Sequence, residues 1–180
     1  LPDSLTEIGE WAFWDCNKVS ISTIPQSVIK IGRQAFTCCE GITTLIFKNN
    51  MEVINDRCFS GCKNIERIVF PKNLKVIEHF AFARCIKLKC VDFPKSLEKI
   101  SHQAFANCWD LEIVNFSSAP NVDSTAFTTV SITLVNSNKH LNTENHECFE
   151  AYIISFKYKF YVTFLHKLYM ENPNNTNLLG

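Results

Sequence analysis

The sequence predicts a solenoid, one chain winding through about five near-identical turns and a degraded sixth. Three observations predict it. Phenylalanine recurs every 23 residues, at Phe13, Phe36, Phe59, Phe82 and Phe105. Cysteine keeps the same step at Cys16, Cys39, Cys62, Cys85 and Cys108. Isoleucine does so at Ile8, Ile31, Ile54, Ile77 and Ile100. Chance does not hold such columns in register over five turns without an insertion.

The unit reads L-x-x-I-x-F-P-x-x-L-x-x-I-x-x-x-A-F-x-x-C-x-x, and each part predicts an element. Leu45-Ile46-Phe47 and Ile68-Val69-Phe70 are short, β-branched and aromatic, which predicts one short strand per turn. Pro2, Pro25, Pro71 and Pro94 end it, while Lys48 replaces the proline once. The L-x-x-I stretch that follows predicts a second extended piece. A-F-x-x-C predicts a tight turn or a single helical turn. A 23-residue unit cannot bury its apolar face alone, so neighbours must stack and equivalent side chains must form interior ladders. Parallel rungs about 4.8 Å apart give five turns a height of about 24 Å. A right-handed winding is expected of parallel crossovers.

The pattern then decays. Residues 117–135 form the sixth repeat, where Ala126-Phe127 falls one residue early and the cysteine slot is lost. Atypical end repeats commonly cap an open core. The expected domains are therefore a solenoid over 1–135, a polar linker over 136–150, and an aromatic segment over 151–180. That last segment is a possible cap with a disordered end. Residues 151–170 have the length of a membrane span, but Lys157 and Lys159 sit near the middle, each costing about 2.5–3.5 kcal/mol there. Membrane insertion is not expected.

Composition narrows the function. Eighteen basic and eighteen acidic residues give no net charge, which argues against a nucleic-acid partner. Nine cysteines cannot all pair within one chain. Cys58 and Cys62 have zinc-like spacing, but Cys58 fills the small-residue slot before Phe59 and Cys62 belongs to the ladder. Cys90 falls on an outward strand position and is the candidate exposed thiol. His79 and His102 occupy one slot in consecutive turns. They read as a stacked pH-sensing pair or as two solvated side chains. No serine–histidine–acid cluster or phosphate-cradling glycine loop emerges. Asn115-Phe116-Ser117 matches the glycosylation acceptor, which matters only for a secreted chain. The chain opens at Leu1-Pro2 with no signal-like apolar run, which leaves its compartment open.

The segments from Leu74 to Cys85 (LKVIEHFAFARC) and from Leu97 to Cys108 (LEKISHQAFANC) carry a resemblance, as does Ile31-Gly32-Arg33-Gln34-Ala35-Phe36. They resemble the BspA-like leucine-rich-repeat family over residues 1 to about 135. The resemblance implies a leucine-rich-repeat solenoid. It would belong to the α/β horseshoe class but consist mostly of short parallel strands and turns. Similar proteins act at the surfaces of host-associated bacteria and unicellular parasites, usually in adhesion, and others are internal scaffolds. The implied function is protein–protein interaction or cell-surface binding, or alternatively an intracellular scaffold. No enzyme activity, cofactor or metal is implied.

The binding positions are those the repeat leaves free. Strand side chains alternate, so with Leu45 and Phe47 inward, Thr44 and Ile46 face out. One, two and three steps further round, Arg67 with Val69, then Asp92, then Asn115 do the same. Thr44, Ile46, Arg67, Val69, Asp92 and Asn115 are the candidate partner-binding residues, expected to form one continuous patch. The competing face lies around Glu78, His79, Ser101 and His102.

Overall fold

The computed structural model describes residues 1–130, 132 and 134–137. Each turn carries two short strands. One ladder holds β2 (Thr23–Ile24), β4 (Thr44–Phe47), β6 (Arg67–Val69), β8 (Cys90–Phe93), β10 (Ile113–Phe116) and β12 (Leu134–Ser137). The other holds β1 (Glu7–Ile8), β3 (Lys30–Ile31), β5 (Val53–Ile54), β7 (Val76–Ile77), β9 (Lys99–Ile100) and β11 (Asn121–Val122). All pairing is parallel, and Leu45 stands beside Ile68 and Ile54 beside Ile77, each one 23-residue unit on. Only the last rungs shift, with Lys99 opposite Asn121 and Ile113 opposite Leu134. β12 carries the first ladder to Ser137, two residues past the expected end of the solenoid.

The ladders are not continuous. The first divides into β2-β4-β6 and β8-β10-β12, and the second into β1-β3 and β5-β7-β9-β11. The second break falls at the turn where Lys48 replaces proline. In other turns the proline carbonyl accepts the N–H three residues on, as in Pro71 O from Leu74 N (3.1 Å) and Pro94 O from Leu97 N (3.1 Å).

Inside, Phe13, Phe36, Phe59, Phe82, Phe105 and Phe127 stack with centroids 5.0–5.5 Å apart and planes within 14° of parallel. Phe47, Phe70 and Phe93 meet this column edge-on at 5.6–5.9 Å. Both are favoured aromatic geometries. Phe36, Phe59, Phe82 and Phe105 are fully buried.

The cysteine column has a polar role as well as a packing one. Each thiol donates to the carbonyl of the phenylalanine one turn back: Cys39 to Phe13 (2.9 Å), Cys62 to Phe36 (3.0 Å), Cys85 to Phe59 (3.4 Å) and Cys108 to Phe82 (3.1 Å). These four cysteines are buried and unpaired, whereas Cys16, on the outermost turn, is half-buried. A small side chain with a weak donor satisfies both demands at this slot.

A-F-x-x-C is a tight turn, and among the described residues there is no helix. The solenoid expectation is met by strands and turns alone, without the helices of an α/β horseshoe. The physical reason lies in how the turn divides its donors. Ala35 N and Thr37 N bond three residues back, to Gly32 O and Gln34 O, while Gln34 N, Phe36 N and Cys38 N reach across to Asp56 O, Cys58 O and Ser60 O of the next turn. A helix would consume every donor internally and leave none for the neighbour. The alternation needs two left-handed residues per turn. They are Trp11, Gln34, Arg57, Phe80 and Gln103 before the alanine slot, and Asp15, Cys38, Gly61, Arg84 and Asn107 after it.

Candidate functional site on the outward strand face

Strand alternation places the six candidate residues on the outside. β4 and β10 alternate half-buried and buried, β6 reads exposed, buried, exposed, and β8 shows the same rhythm. Arg67, Val69 and Asp92 are exposed, while Thr44, Ile46 and Asn115 are half-buried. Thr44 pairs in register with Arg67 and Ile46 with Val69, so these four form a compact two-by-two patch. Val69 leaves 37% of its surface in solvent.

The six do not form one hydrogen-bonded surface. The ladder is interrupted between β6 and β8, so Asp92 and Asn115 belong to a separate sheet. There they face each other in register, and the Asn115 amide donates to Asp92 Oδ1. Asn115 also reaches Cys90 Sγ at 3.8 Å. The glycosylation-type asparagine is thus engaged within a strand.

Cys90 differs from its expected role as a freely exposed thiol. It is half-buried, and burial first, then the Asp92 carboxylate, pushes its thiol above the ordinary range. The thiolate is the nucleophilic form, so this is a sluggish site. The zinc-like Cys58 and Cys62 are buried, and burial pushes both well up. Among the described residues, no group of three or more His, Cys, Asp or Glu side chains is placed to hold a metal ion. No helix among them is long and apolar enough to cross a membrane. The aromatic segment 151–170, Cys148 and most of the expected linker lie outside the described residues.

The competing face is an edge of polar contacts spanning turns. Arg33 Nε pairs with Asp56 Oδ2 at 2.7 Å, Asp56 with Arg57 at 3.0 Å, and the Arg57 guanidinium sits 4.5 Å from the Phe80 ring centre. Phe80 meets His102 edge-on at 5.4 Å, and His102 Nδ1 lies 2.7 Å from the Thr125 hydroxyl. Sequence reasoning placed His79 and His102 here but missed Phe80, Thr125 and Asp123. An aromatic ring in a slot filled by glutamine and arginine in neighbouring turns was the available signal. It also missed three exposed tryptophans, Trp11, Trp14 and Trp109, which stand on turns and not on the strand face.

A family model described as a BspA-type leucine-rich-repeat region matches in six copies, over residues 1–112 and 54–173. The chain belongs to the BspA-type leucine-rich-repeat family. A leucine-rich-repeat protein of Eubacterium ventriosum is similar at 28% identity with a TM-score of 0.69, over 74% of this chain and 37% of that one. The pneumococcal vaccine antigen PcpA is similar at 32% identity and 0.65, over 75% of this chain and 36% of the antigen. A Treponema pallidum (T. pallidum) leucine-rich-repeat protein shares the fold at 24% identity and 0.58, over 63% of this chain and 56% of that one. This BspA-type chain thus spans less than two thirds of each of these proteins. No curated protein sequence matches it.

Proposed function

We propose that this BspA-type repeat is a protein-binding module of the cell surface and that its partner rests on the outward strand face, centred on Thr44, Ile46, Arg67 and Val69. One observation carries the reading. On β4 and β6 the inward positions repeat as large apolar residues, while the outward ones change from Thr and Ile to Arg and Val within one rung. A stack needs its interior constant and leaves its surface free to be specific. The patch combines β-branched side chains with an exposed arginine, a residue type enriched among binding hot spots. Asp92 and Asn115 extend it on the neighbouring sheet. The similarity to a pneumococcal vaccine antigen supports the surface form of this reading.

The test is a capture experiment with three proteins: wild type, Arg67→Ala/Val69→Ala, and His79→Ala/His102→Ala. The same partner should be recovered by the wild type and the histidine variant and lost from the strand variant. A partner lost from the histidine variant alone overturns the assignment. Labelling of intact cells with a membrane-impermeant reagent should reach the protein, and failure to do so favours an internal scaffold.

A further inference from the structure

We infer that His79 and His102 form a two-imidazole clip for a borderline divalent cation such as nickel, copper or zinc, one ion per chain, with water completing its coordination. The argument starts from the repeat. A slot filled by histidine in consecutive turns brings two imidazoles to adjacent rungs of a rigid stack. Their ring centres lie 6.3 Å apart, with planes tilted 53°. Metal–nitrogen bonds of about 2.0–2.1 Å place two imidazoles that share an ion from about 4.5 Å apart, centre to centre, when they bind side by side to about 6.4 Å when they bind on opposite sides of it. The separation falls within that span, at the end where the ion lies between the two rings. Both side chains are accessible, at 50% and 43% of their surface.

The His102 ring is also held. The Thr125 hydroxyl donates its one proton to Asp123 Oδ1 at 2.6 Å, so toward His102 Nδ1, at 2.7 Å, it acts as acceptor. Neutral His102 is thereby fixed with its proton on Nδ1 and its Nε2 lone pair free. The edge-on Phe80 ring bounds the same imidazole. His79 Nε2 lies 3.7 Å from Glu78 Oε2, which in turn accepts the Ser101 hydroxyl at 3.4 Å. A hydrogen-bonded partner such as Thr125 orients a metal-binding histidine and strengthens its donor nitrogen. Imidazole ligands suit nickel, copper and zinc rather than magnesium or calcium. With only two protein ligands, the site is open and exchangeable, and it is distinct from the strand face proposed to bind a partner.

The experiment is calorimetric titration of the full chain with nickel(II), with circular dichroism to verify the fold of each variant. Wild type should show a saturable one-to-one phase that His79→Ala and His102→Ala each abolish. Thr125→Val leaves both imidazoles in place but removes the hydroxyl that orients His102, so it should weaken this phase by about 10–100-fold. A nickel phase of unchanged affinity in the double variant His79→Ala/His102→Ala overturns the proposal. So does the absence of any saturable binding by the wild type.

Discussion

Asn55 donates its side-chain amide to the backbone carbonyl of Ile31 at 2.6 Å. In the turns that follow, the same job is done by the backbone N–H: Glu78 N to Ile54 O, Ser101 N to Ile77 O and Asp123 N to Ile100 O. Asn49, in the same turn, donates its amide to Val28 O at 3.0 Å. Two side chains thus bridge the gap where β3 and β5 fail to pair. Buried carbonyls need partners, and here asparagine supplies what the interrupted ladder cannot.

Asn55→Ala should therefore destabilise the protein by about 1–3 kcal/mol, because it orphans a carbonyl inside the stack. Asn50→Ala, at an exposed neighbour, should stay within about 0.5 kcal/mol of wild type. Chemical denaturation of both variants is the check. Equal stability of the two would mean that Asn55 is only a surface residue.

Phe82 lies between Phe59 at 5.5 Å and Phe105 at 5.3 Å, fully buried. Phe82→Ala should cost about 3–5 kcal/mol by opening a void mid-stack. Because each turn contacts only its neighbours, hydrogen exchange should accelerate first in the flanking turns. A loss below about 1 kcal/mol would contradict the stacked interior.

The ladder thiols predict an alkaline limit. Burial pushes Cys39 from an ordinary 9.0 up to about 11 and Cys108 up to about 12, and raises Cys85 well above the ordinary value. A group raised on folding keeps its contribution below its ordinary value and loses it as pH climbs toward the folded value. Stability should accordingly hold to about pH 9 and then fall, by about 1.4 kcal/mol per pH unit for each such thiol. Denaturation midpoints measured from pH 7 to pH 11 check this, and native thiol titration at pH 8 should leave Cys62 and Cys85 unreacted. Rapid native labelling of either would refute the ladder.

Arg84 is exposed and left-handed, with φ of 62°, in the slot that Gly61 fills one turn earlier. The left-handed conformation costs a residue with a Cβ about 1–2 kcal/mol, and β-branched residues most of all. Arg84→Val should destabilise by more than about 1 kcal/mol, whereas Arg84→Gly should be neutral or mildly stabilising. The reverse order, read from thermal melts, would show that the turn does not need this conformation.

The columns Ile31, Phe36 and Cys39 and their successors made the stack legible, because each interior rung demands the same shape at the same step. Alternation along Thr44–Phe47 likewise made the outward residues legible. The left-handed slots were hidden because Gln34, Arg57 and Phe80 carry no glycine signal; tertiary hydrogen bonding imposes their geometry. The asparagine bridge was visible only as an anomaly, Lys48-Asn49-Asn50 where other turns have proline. The division of the candidate surface between Val69 and Asp92 was not legible, since both turns obey one pattern and differ only in how their backbones pair.

The central claim is that binding energy resides on the outward strand face around Arg67 and Val69. Its most direct test is the affinity of the captured partner for wild type and for Arg67→Ala/Val69→Ala, measured by calorimetry. Neither side chain is inside, so the double variant should stay within about 1 kcal/mol of wild-type stability. Its partner affinity should fall at least tenfold, about 1.4 kcal/mol. Unchanged affinity in this variant, with loss of binding in His79→Ala/His102→Ala, would contradict the account and move the contact surface to the polar edge.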